Sequence, residues 1–327
     1  MIGQFKDWVA RKTASPIEFP VTVFDETLER PEDLEAKLKI IGLFTYRQGF
    51  ECLPRSTETT DKGWGCLIRT GQMLLHECMR RHGAFKDEQT LREKFRDLPS
   101  ETEAPFSIHN MVRGICNPND KFTAGYWSPK QGSDAIKAVV ANAHLEKPLL
   151  VLQAEGDGQL YNDEIMYSVE EAPTLILVPM RTSLSDRITH TAWATFKHLL
   201  STNLCVGIVG GSPKRSYYFF GTAKGEKALY LDPHQETQKA YVSDATAGIV
   251  HETAQTVPQL EWKRIDSSMV VGFYVKDANE WQELSRHIFN IEKTGGDVLL
   301  RVADTRGAAN TTARDDVESF GSEHSDG

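Results

Sequence analysis

Residues 61 to 73 of this chain read Asp61-Lys-Gly-Trp-Gly-Cys-Leu-Ile-Arg-Thr-Gly-Gln-Met73. Cys66 follows a Gly-Trp-Gly segment and begins an apolar run at helical spacing, which predicts a thiol in the first turn of a helix. The unpaired N–H groups and the positive end of the helix dipole there favour a thiolate over a thiol. Because the thiolate is the nucleophile, Cys66 is a candidate catalytic residue, and a buried structural cysteine is the alternative.

The composition is that of a globular protein that keeps its thiols reduced. The chain has 327 residues, of which 40% are hydrophobic and 25% charged, and its formal net charge of −9 disfavours a general binder of nucleic acid or anionic membranes. No apolar run approaches the roughly 20 residues of a membrane helix, and no secretory signal is visible. The 5 cysteines form no Cys-x-x-Cys pair, so we expect a cytoplasmic protein without a disulfide framework or zinc site.

Helical patterns dominate the first half of the chain and strand patterns the second half. Helices are expected at 32–41, from Cys66 to about Gly83, and at 88–96, 107–114, 133–144, 189–200 and 279–292. Strands are expected at 148–153, 174–179, 204–209, 217–221, 228–231 and 269–275. Helices early and strands late predict an α+β fold in which an antiparallel or mixed sheet packs against the cysteine helix.

A base for the cysteine is predicted after one of these strands, in Tyr230-Leu-Asp-Pro-His234. Residues two apart in an extended segment point to the same side, so Asp232 and His234 can lie next to each other. The carboxylate would fix the imidazole tautomer and leave Nε2 facing a thiol. By itself, Asp-Pro-His is also a common turn after a strand.

Two other enzyme classes are disfavoured by missing motifs. The segment Gly210-Gly-Ser-Pro-Lys214 lacks the last glycine of the serine hydrolase motif Gly-x-Ser-x-Gly and contains a proline. The segment Gly207-Ile-Val-Gly-Gly211 matches neither the phosphate-loop pattern nor Gly-x-Gly-x-x-Gly.

Several motifs, taken in order, make the chain resemble the autophagins, the papain-like cysteine proteases that process the ubiquitin-like modifier of autophagy. The resemblance covers about residues 43 to 275. It rests on Phe44-Thr-Tyr-Arg47, Asp61-Lys-Gly-Trp-Gly-Cys-Leu-Ile-Arg69, Gly71-Gln-Met73, Phe106-Ser-Ile-His109, Leu177-Val-Pro-Met-Arg181, Val206-Gly-Ile-Val-Gly-Gly211, Tyr218-Phe219, Tyr230-Leu-Asp-Pro-His234 and Val271-Gly-Phe273.

The resemblance implies a papain-like α+β core and a catalytic set. Cys66 matches the family's nucleophile, Asp232 and His234 its other triad members, and Tyr46 the tyrosine that helps to bind the oxyanion. Pro213 matches the centre of a mobile loop that covers the active site. We further expect a small inserted subdomain within about 100–175.

The substrate-binding residues are expected to be aromatic. Trp64 and Tyr126 are candidate walls of a narrow groove that accepts glycine. The family places a tryptophan over the nucleophile where this chain has Tyr126, with Trp127 one position along, so either ring could cover the site. Thr70 stands where many relatives have a second cysteine, which argues against redox control there.

The expected domains are an N-terminal segment at 1–40, a protease domain at 41–302 and a disordered acidic tail at 303–327. An apolar stripe within 2–9 makes the first of these a candidate regulatory or membrane-surface segment, although such a stripe more often packs against the body of the protein.

The resemblance implies a monomeric cysteine endopeptidase that uses no metal or organic cofactor. Its partner would be the modifier, cut after the C-terminal glycine of the precursor and released from phosphatidylethanolamine on autophagic membranes. The alternatives are a peptidase or acyltransferase acting on another ubiquitin-like protein, and a catalytically silent module that binds the modifier.

Overall fold

The structure is a computed structural model that describes residues 16–117, 119–155, 158–243 and 252–306. The predicted apolar stripe within 2–9 and most of the predicted acidic tail lie outside these ranges. None of the helices in the described ranges is both long and apolar enough to cross a membrane.

The helices follow the predicted pattern closely. They are α1 (Pro31–Leu38), α2 (Cys66–His82), α3 (Glu88–Glu93), α4 (Ile108–Ile115), α5 (Pro129–Asn142), α6 (Asn162–Glu171), α7 (His190–Leu200) and α8 (Ala278–Phe289). Helix α6, at 162–171, has no counterpart among the predictions, and neither do the strands of two or three residues described below.

Helix α2, the cysteine helix, begins and ends where its sequence predicts. Gly83 adopts the left-handed conformation, with φ of 66°, and its N–H donates to the Met79 carbonyl at 3.0 Å. Arg80, Arg81 and His82 lie in the last turn, where positive charge complements the helix dipole. Because most side chains of this helix are buried, it forms the centre of the molecule.

The strands form one main sheet and two small pairs. They are β1 (Val21–Val23), β2 (Glu26–Leu28), β3 (Arg47–Gln48), β4 (Leu150–Gln153), β5 (Gln159–Tyr161), β6 (Thr174–Arg181), β7 (Cys205–Ser212), β8 (Arg215–Ala223), β9 (Lys227–Leu231), β10 (Gln238–Lys239), β11 (Gln259–Glu261), β12 (Ser268–Val275) and β13 (Arg301–Ala303). The main sheet has the order β11-β9-β8-β7-β12-β6-β4, and β1 joins β2 to β8. Strand β4 is parallel to β6, and the other neighbours in this order are antiparallel.

Helix α2 packs against β7 and β8 at the middle of the sheet. Gly272 in the adjacent strand β12 permits this close approach, because a Cβ there would lie 2.9 Å from Leu74 of the helix. One apolar cluster fills the α2 side of the sheet and a second fills the side covered by α7 and α8. The predicted α+β fold, with a mixed sheet packed on the cysteine helix, is confirmed.

The predicted domain boundaries stay a prediction, and three features of the structure bear on them. Strand β1, within the predicted N-terminal segment, pairs with β8 of the main sheet. Among the described residues of 100–175, the buried hydrophobic side chains belong to the two clusters shared with the rest of the chain. Ala303, the predicted start of the disordered tail, lies in β13, and Arg306 pairs with Glu155 and Glu164.

Candidate active site

The nucleophile candidate Cys66 is the first residue of α2. The preceding Gly65 offers no side-chain cap, so the first N–H groups of the helix are not satisfied by a capping side chain. Cys66 is 4% exposed and contributes to the lining of a cleft of about 350 Å³. The predicted position at the start of a helix is confirmed, and the location in a cleft gives the sulfur access to a ligand.

The imidazole of His234 lies between a carboxylate and this sulfur. His234 Nδ1 donates to Asp232 Oδ1 at 2.7 Å, and the same oxygen accepts the His234 main-chain N–H at 2.8 Å. With Nδ1 engaged, Nε2 is the ring nitrogen left for the hydrogen bond between His234 and Cys66. The structure therefore brings together the three residues predicted to form a triad.

The surroundings of Cys66 and His234 favour the charged forms of both side chains. Burial raises the pKa of the Cys66 thiol, but hydrogen bonds from His234, the Ser216 main-chain N–H and Tyr46 outweigh burial, so the pKa is lowered overall. Burial also lowers the pKa of His234, and the hydrogen bonds to Asp232 and Cys66 reverse this effect and raise the pKa to about 9. At neutral pH these shifts favour a thiolate beside an imidazolium.

Tyr46 reaches the same sulfur from a different segment. Its main-chain N–H donates to the Pro233 carbonyl at 3.0 Å, and its ring meets the His234 ring edge-on at 5.2 Å. The hydroxyl is hydrogen bonded to Cys66. Burial, assisted by the negative charges of Cys66 and Asp61, raises the pKa of the phenol, so the hydroxyl keeps its proton as a donor.

Of the three aromatic residues predicted to bind substrate, Tyr126 and Trp127 line the cleft. Tyr126 is 61% exposed, and Trp127 is partly buried against the core. Trp64 is different: it is 8% exposed, its Nε1 donates to the Thr60 carbonyl at 3.0 Å, and its ring packs on Phe122 at 5.4 Å. The side chain of Trp64 thus packs into the core, and its assignment as a groove wall stays a prediction.

Pro213 occupies the exposed tip of the hairpin between β7 and β8. Its neighbours Ser212 and Lys214 line the cleft, and Lys214 adopts a left-handed φ of 65°. The base of the hairpin is attached to the sheet by the Asp266 N–H, which donates to the Gly211 carbonyl at 2.7 Å. The predicted covering loop thus lies at the edge of the cleft.

Ser216 contributes to the site without having been predicted. Its main-chain N–H is a hydrogen-bond donor to Cys66, and its hydroxyl lies 2.7 Å from that of Thr70, one turn after Cys66 in α2. No motif identifies Ser216, because its position depends on how β8 packs against the helix. The strand pattern of Tyr217-Tyr-Phe-Phe-Gly221 predicted the strand but not this contact.

Comparison with known proteins finds a family model and several related proteins. A model of the peptidase C54 catalytic domain matches residues 31–287. The chain is similar to a probable cysteine protease atg4 of Sclerotinia sclerotiorum, with 29% identity over an alignment of 343 residues that covers 90% of this chain and 75% of the relative. A cysteine protease atg4 of Emericella nidulans is 30% identical over 284 residues, 80% of this chain and 68% of the relative. A probable cysteine protease atg4 of Aspergillus clavatus is 32% identical over 251 residues, 71% of this chain and 61% of the relative.

Proposed function

Because this chain belongs to the peptidase C54 family and is a cysteine protease, we propose that it cuts after the C-terminal glycine of a ubiquitin-like autophagy modifier. The proposal includes two substrates. One is the newly made modifier with a C-terminal extension, and the other is the mature modifier joined to phosphatidylethanolamine. In both, the bond that breaks joins the glycine carbonyl to an amine nitrogen.

The observation that carries the proposal is the continuous hydrogen-bonded set Cys66–His234–Asp232 at the start of α2. The Cys66 thiolate attacks the glycine carbonyl, and the imidazolium of His234 gives its proton to the leaving amine. The product is a thioester between Cys66 and the modifier. His234 then takes a proton from a water molecule, whose oxygen attacks the thioester and restores the thiolate. Asp232 holds the ring orientation during both transfers.

Two donors are available for the oxyanion that forms in each step. One is the hydroxyl of Tyr46, which already contacts the sulfur. The other is the Cys66 main-chain N–H, which at the first position of a helix has no partner within that helix. Donors fixed in a buried site stabilise the developing negative charge with little reorganisation.

The cleft fits an extended, small-residue tail. Gly210 and Gly211, which have no side chains, line this cleft together with Tyr126 and Trp127. We assign Tyr126 and Trp127 to substrate binding and Pro213 to a loop that moves when the tail enters. The exposed ring of Tyr126 is the better candidate for the cover, because Trp127 is already packed against the core.

We further propose a monomer that works in the cytoplasm and meets membranes through the lipidated modifier. The five cysteines are all free thiols, which agrees with a reducing compartment. The proposed reaction uses the side chains of Cys66, His234, Asp232 and Tyr46 together with the Cys66 main-chain N–H, and we propose no metal or organic cofactor for it.

The test is incubation of the purified protein with the extended precursor and with lipidated modifier in liposomes, with the cut located by mass spectrometry. We expect cleavage after the glycine in both substrates. Cys66→Ala should abolish cleavage and retain modifier binding, and Asp232→Asn should reduce turnover by up to about 10⁴-fold because it favours the wrong imidazole tautomer. Turnover by Cys66→Ala, or cleavage restricted to a different ubiquitin-like protein, would refute the proposal.

A further inference from the structure

A buried ionic cluster, formed by Asp61, Arg69 and Asp97, lies behind the catalytic residues. Arg69 Nε donates to Asp61 Oδ2 at 2.6 Å, and Arg69 Nη1 donates to Asp97 Oδ1 at 2.9 Å. All three side chains are at most 1% exposed. Burying charges is costly unless they are paired and hydrogen bonded, and these three take no part in the proposed proton transfers.

The cluster is attached to the segment that carries the nucleophile. Arg69 lies on α2, one turn after Cys66. The main-chain carbonyl of Asp61 accepts the N–H groups of Gly65 at 2.9 Å and Trp64 at 3.2 Å, which forms the turn immediately before Cys66. The Asp61–Arg69 pair thus connects the turn before Cys66 to the first turn of the helix after it.

The same carboxylates are attached to the segments that carry Tyr46 and His234. Asp61 Oδ1 accepts the N–H of Arg47, the residue after Tyr46, at 2.6 Å. Asp97 Oδ2 accepts the N–H of Tyr241 at 2.7 Å, and the Asp97 N–H donates to the Tyr241 carbonyl at 2.6 Å. Tyr241 follows β10, which leads away from His234 and pairs with β3.

Gly65 shows how tightly these parts fit. A Cβ at position 65 would lie 2.6 Å from Asp61 Cβ and 3.0 Å from Asp61 Oδ2. These distances leave no room for a side chain between the turn and the carboxylate. The glycine, the aspartate and the arginine of the motif at 61–69 therefore form one structural unit around the start of α2.

We propose that Asp61, Arg69 and Asp97 are positioning residues, which hold the Cys66 sulfur in register with the His234 imidazole and the Tyr46 hydroxyl. This rests on the proposed function only in taking Cys66 and His234 as the reacting pair. The cluster acts through the main chain of three segments that are distant in sequence. Displacement of a reacting group by about 1 Å can cost about 10²-fold in rate, so small movements at these junctions matter.

The test compares Arg69→Lys with the matched control Glu77→Gln. Lysine keeps the positive charge but cannot span both carboxylates. Glu77 is equally buried on the same helix, where it pairs with Arg80 and Arg81. The readout is the rate of Cys66 alkylation by iodoacetamide at each pH, assigned to Cys66 by mass spectrometry because the exposed Cys52 can react as well. This measurement requires no modifier.

The pH profile is the rate of Cys66 alkylation plotted against pH. In Arg69→Lys we expect the rise of this rate with pH to occur about one pH unit higher than in the wild type, because a displaced imidazolium stabilises the thiolate less. Turnover of precursor should fall by about 10²-fold with little change in KM. Glu77→Gln should lower the melting temperature and leave the profile of the folded protein unchanged. If Arg69→Lys does not fold, Asp97→Asn, which keeps the volume and removes one buried charge, is measured in its place and should shift the profile in the same direction.

The outcomes separate this inference from the proposed function. A wild-type Cys66 that shows no enhanced reactivity would refute the catalytic assignment itself. A reactive wild-type Cys66 with an unchanged profile in folded Arg69→Lys, or in Asp97→Asn where Arg69→Lys does not fold, would refute the positioning proposal. An equal shift in Glu77→Gln would also refute it, because the effect would then be a general consequence of losing a buried ion pair.

Discussion

The oxyanion assignment of Tyr46 is tested by Tyr46→Phe, which removes one hydroxyl and retains the ring. The contacts that locate the residue are preserved: the N–H to Pro233, the carbonyl that accepts the Gln238 N–H at 3.0 Å, and the ring on His234. The hydroxyl bonded to the Cys66 sulfur is lost. The change therefore removes a donor from the site while leaving its framework in place.

The expected effects on rate and stability differ in size. Loss of one oxyanion donor reduces turnover by about 10²–10³-fold, which corresponds to about 2.7–4 kcal/mol in the barrier. Loss of one buried hydrogen bond costs about 1 kcal/mol in the free energy of unfolding. Modifier affinity should remain nearly constant, because the hydroxyl acts mainly where negative charge develops. The pKa of the Cys66 thiol should rise, since one of the hydrogen bonds that lower it is removed.

The assays are single-turnover cleavage of the precursor, binding of modifier to the Cys66→Ala form with and without the change, and thermal unfolding. Tyr218→Phe is the matched control, because Tyr218 is fully buried and its hydroxyl donates to the Val206 carbonyl at 2.7 Å in the core. It should lower the melting temperature and retain turnover. If Tyr46→Phe behaves like this control, with a lower melting temperature and normal turnover, Tyr46 is a core residue and the oxyanion assignment is wrong.

Three further predictions follow from the fold and the cleft. Trp64→Ala should cost about 3–5 kcal/mol in the free energy of unfolding. Tyr126→Ala should instead raise KM with little effect on stability. A raised KM and an unchanged melting temperature in Trp64→Ala would show that Trp64 is a groove wall. His198 and His287 stack at 3.8 Å, each Nε2 hydrogen bonded to the other's main-chain carbonyl, and burial, aided by repulsion from His198, lowers the pKa of His287. The unfolded state then binds more protons below about pH 6.5, so the free energy of unfolding should fall as the pH drops through this region. His287→Gln should therefore flatten the dependence of melting temperature on pH between about 7 and 5. Parallel curves of melting temperature against pH for the variant and the wild type would contradict this. A chain that ends after Arg306 should melt like the full chain, whereas a chain that ends after Leu299 should melt lower because it loses Leu300 and the β13–β5 pairing; equal melting of the two shortened chains would show that this segment does not stabilise the fold.

Several features of the protein follow from the sequence alone because they depend on local geometry. The position of Cys66 at the start of a helix is set by the Gly-Trp-Gly segment and the apolar spacing that follows it, and Gly83 ends that helix through its left-handed conformation. The contact between Asp232 and His234 is likewise local, since an extended chain brings alternate side chains to the same side.

The tertiary structure decided how these local units meet. Periodicity places side chains on a face but does not state which face it will pack against, so it could not show that β12 lies between β6 and β7 or that β1 joins the main sheet. It also could not separate Trp64, which is buried on Phe122, from Tyr126, which is exposed beside the cleft, because both are aromatic residues near glycine. The contacts of Ser216 with Cys66, and of Asp97 with Arg69, join segments far apart in the chain. Such contacts form only when the core has been packed. For this reason the candidate triad can be predicted from the sequence, whereas the contact of Ser216 and the alignment of the triad are properties of the folded protein.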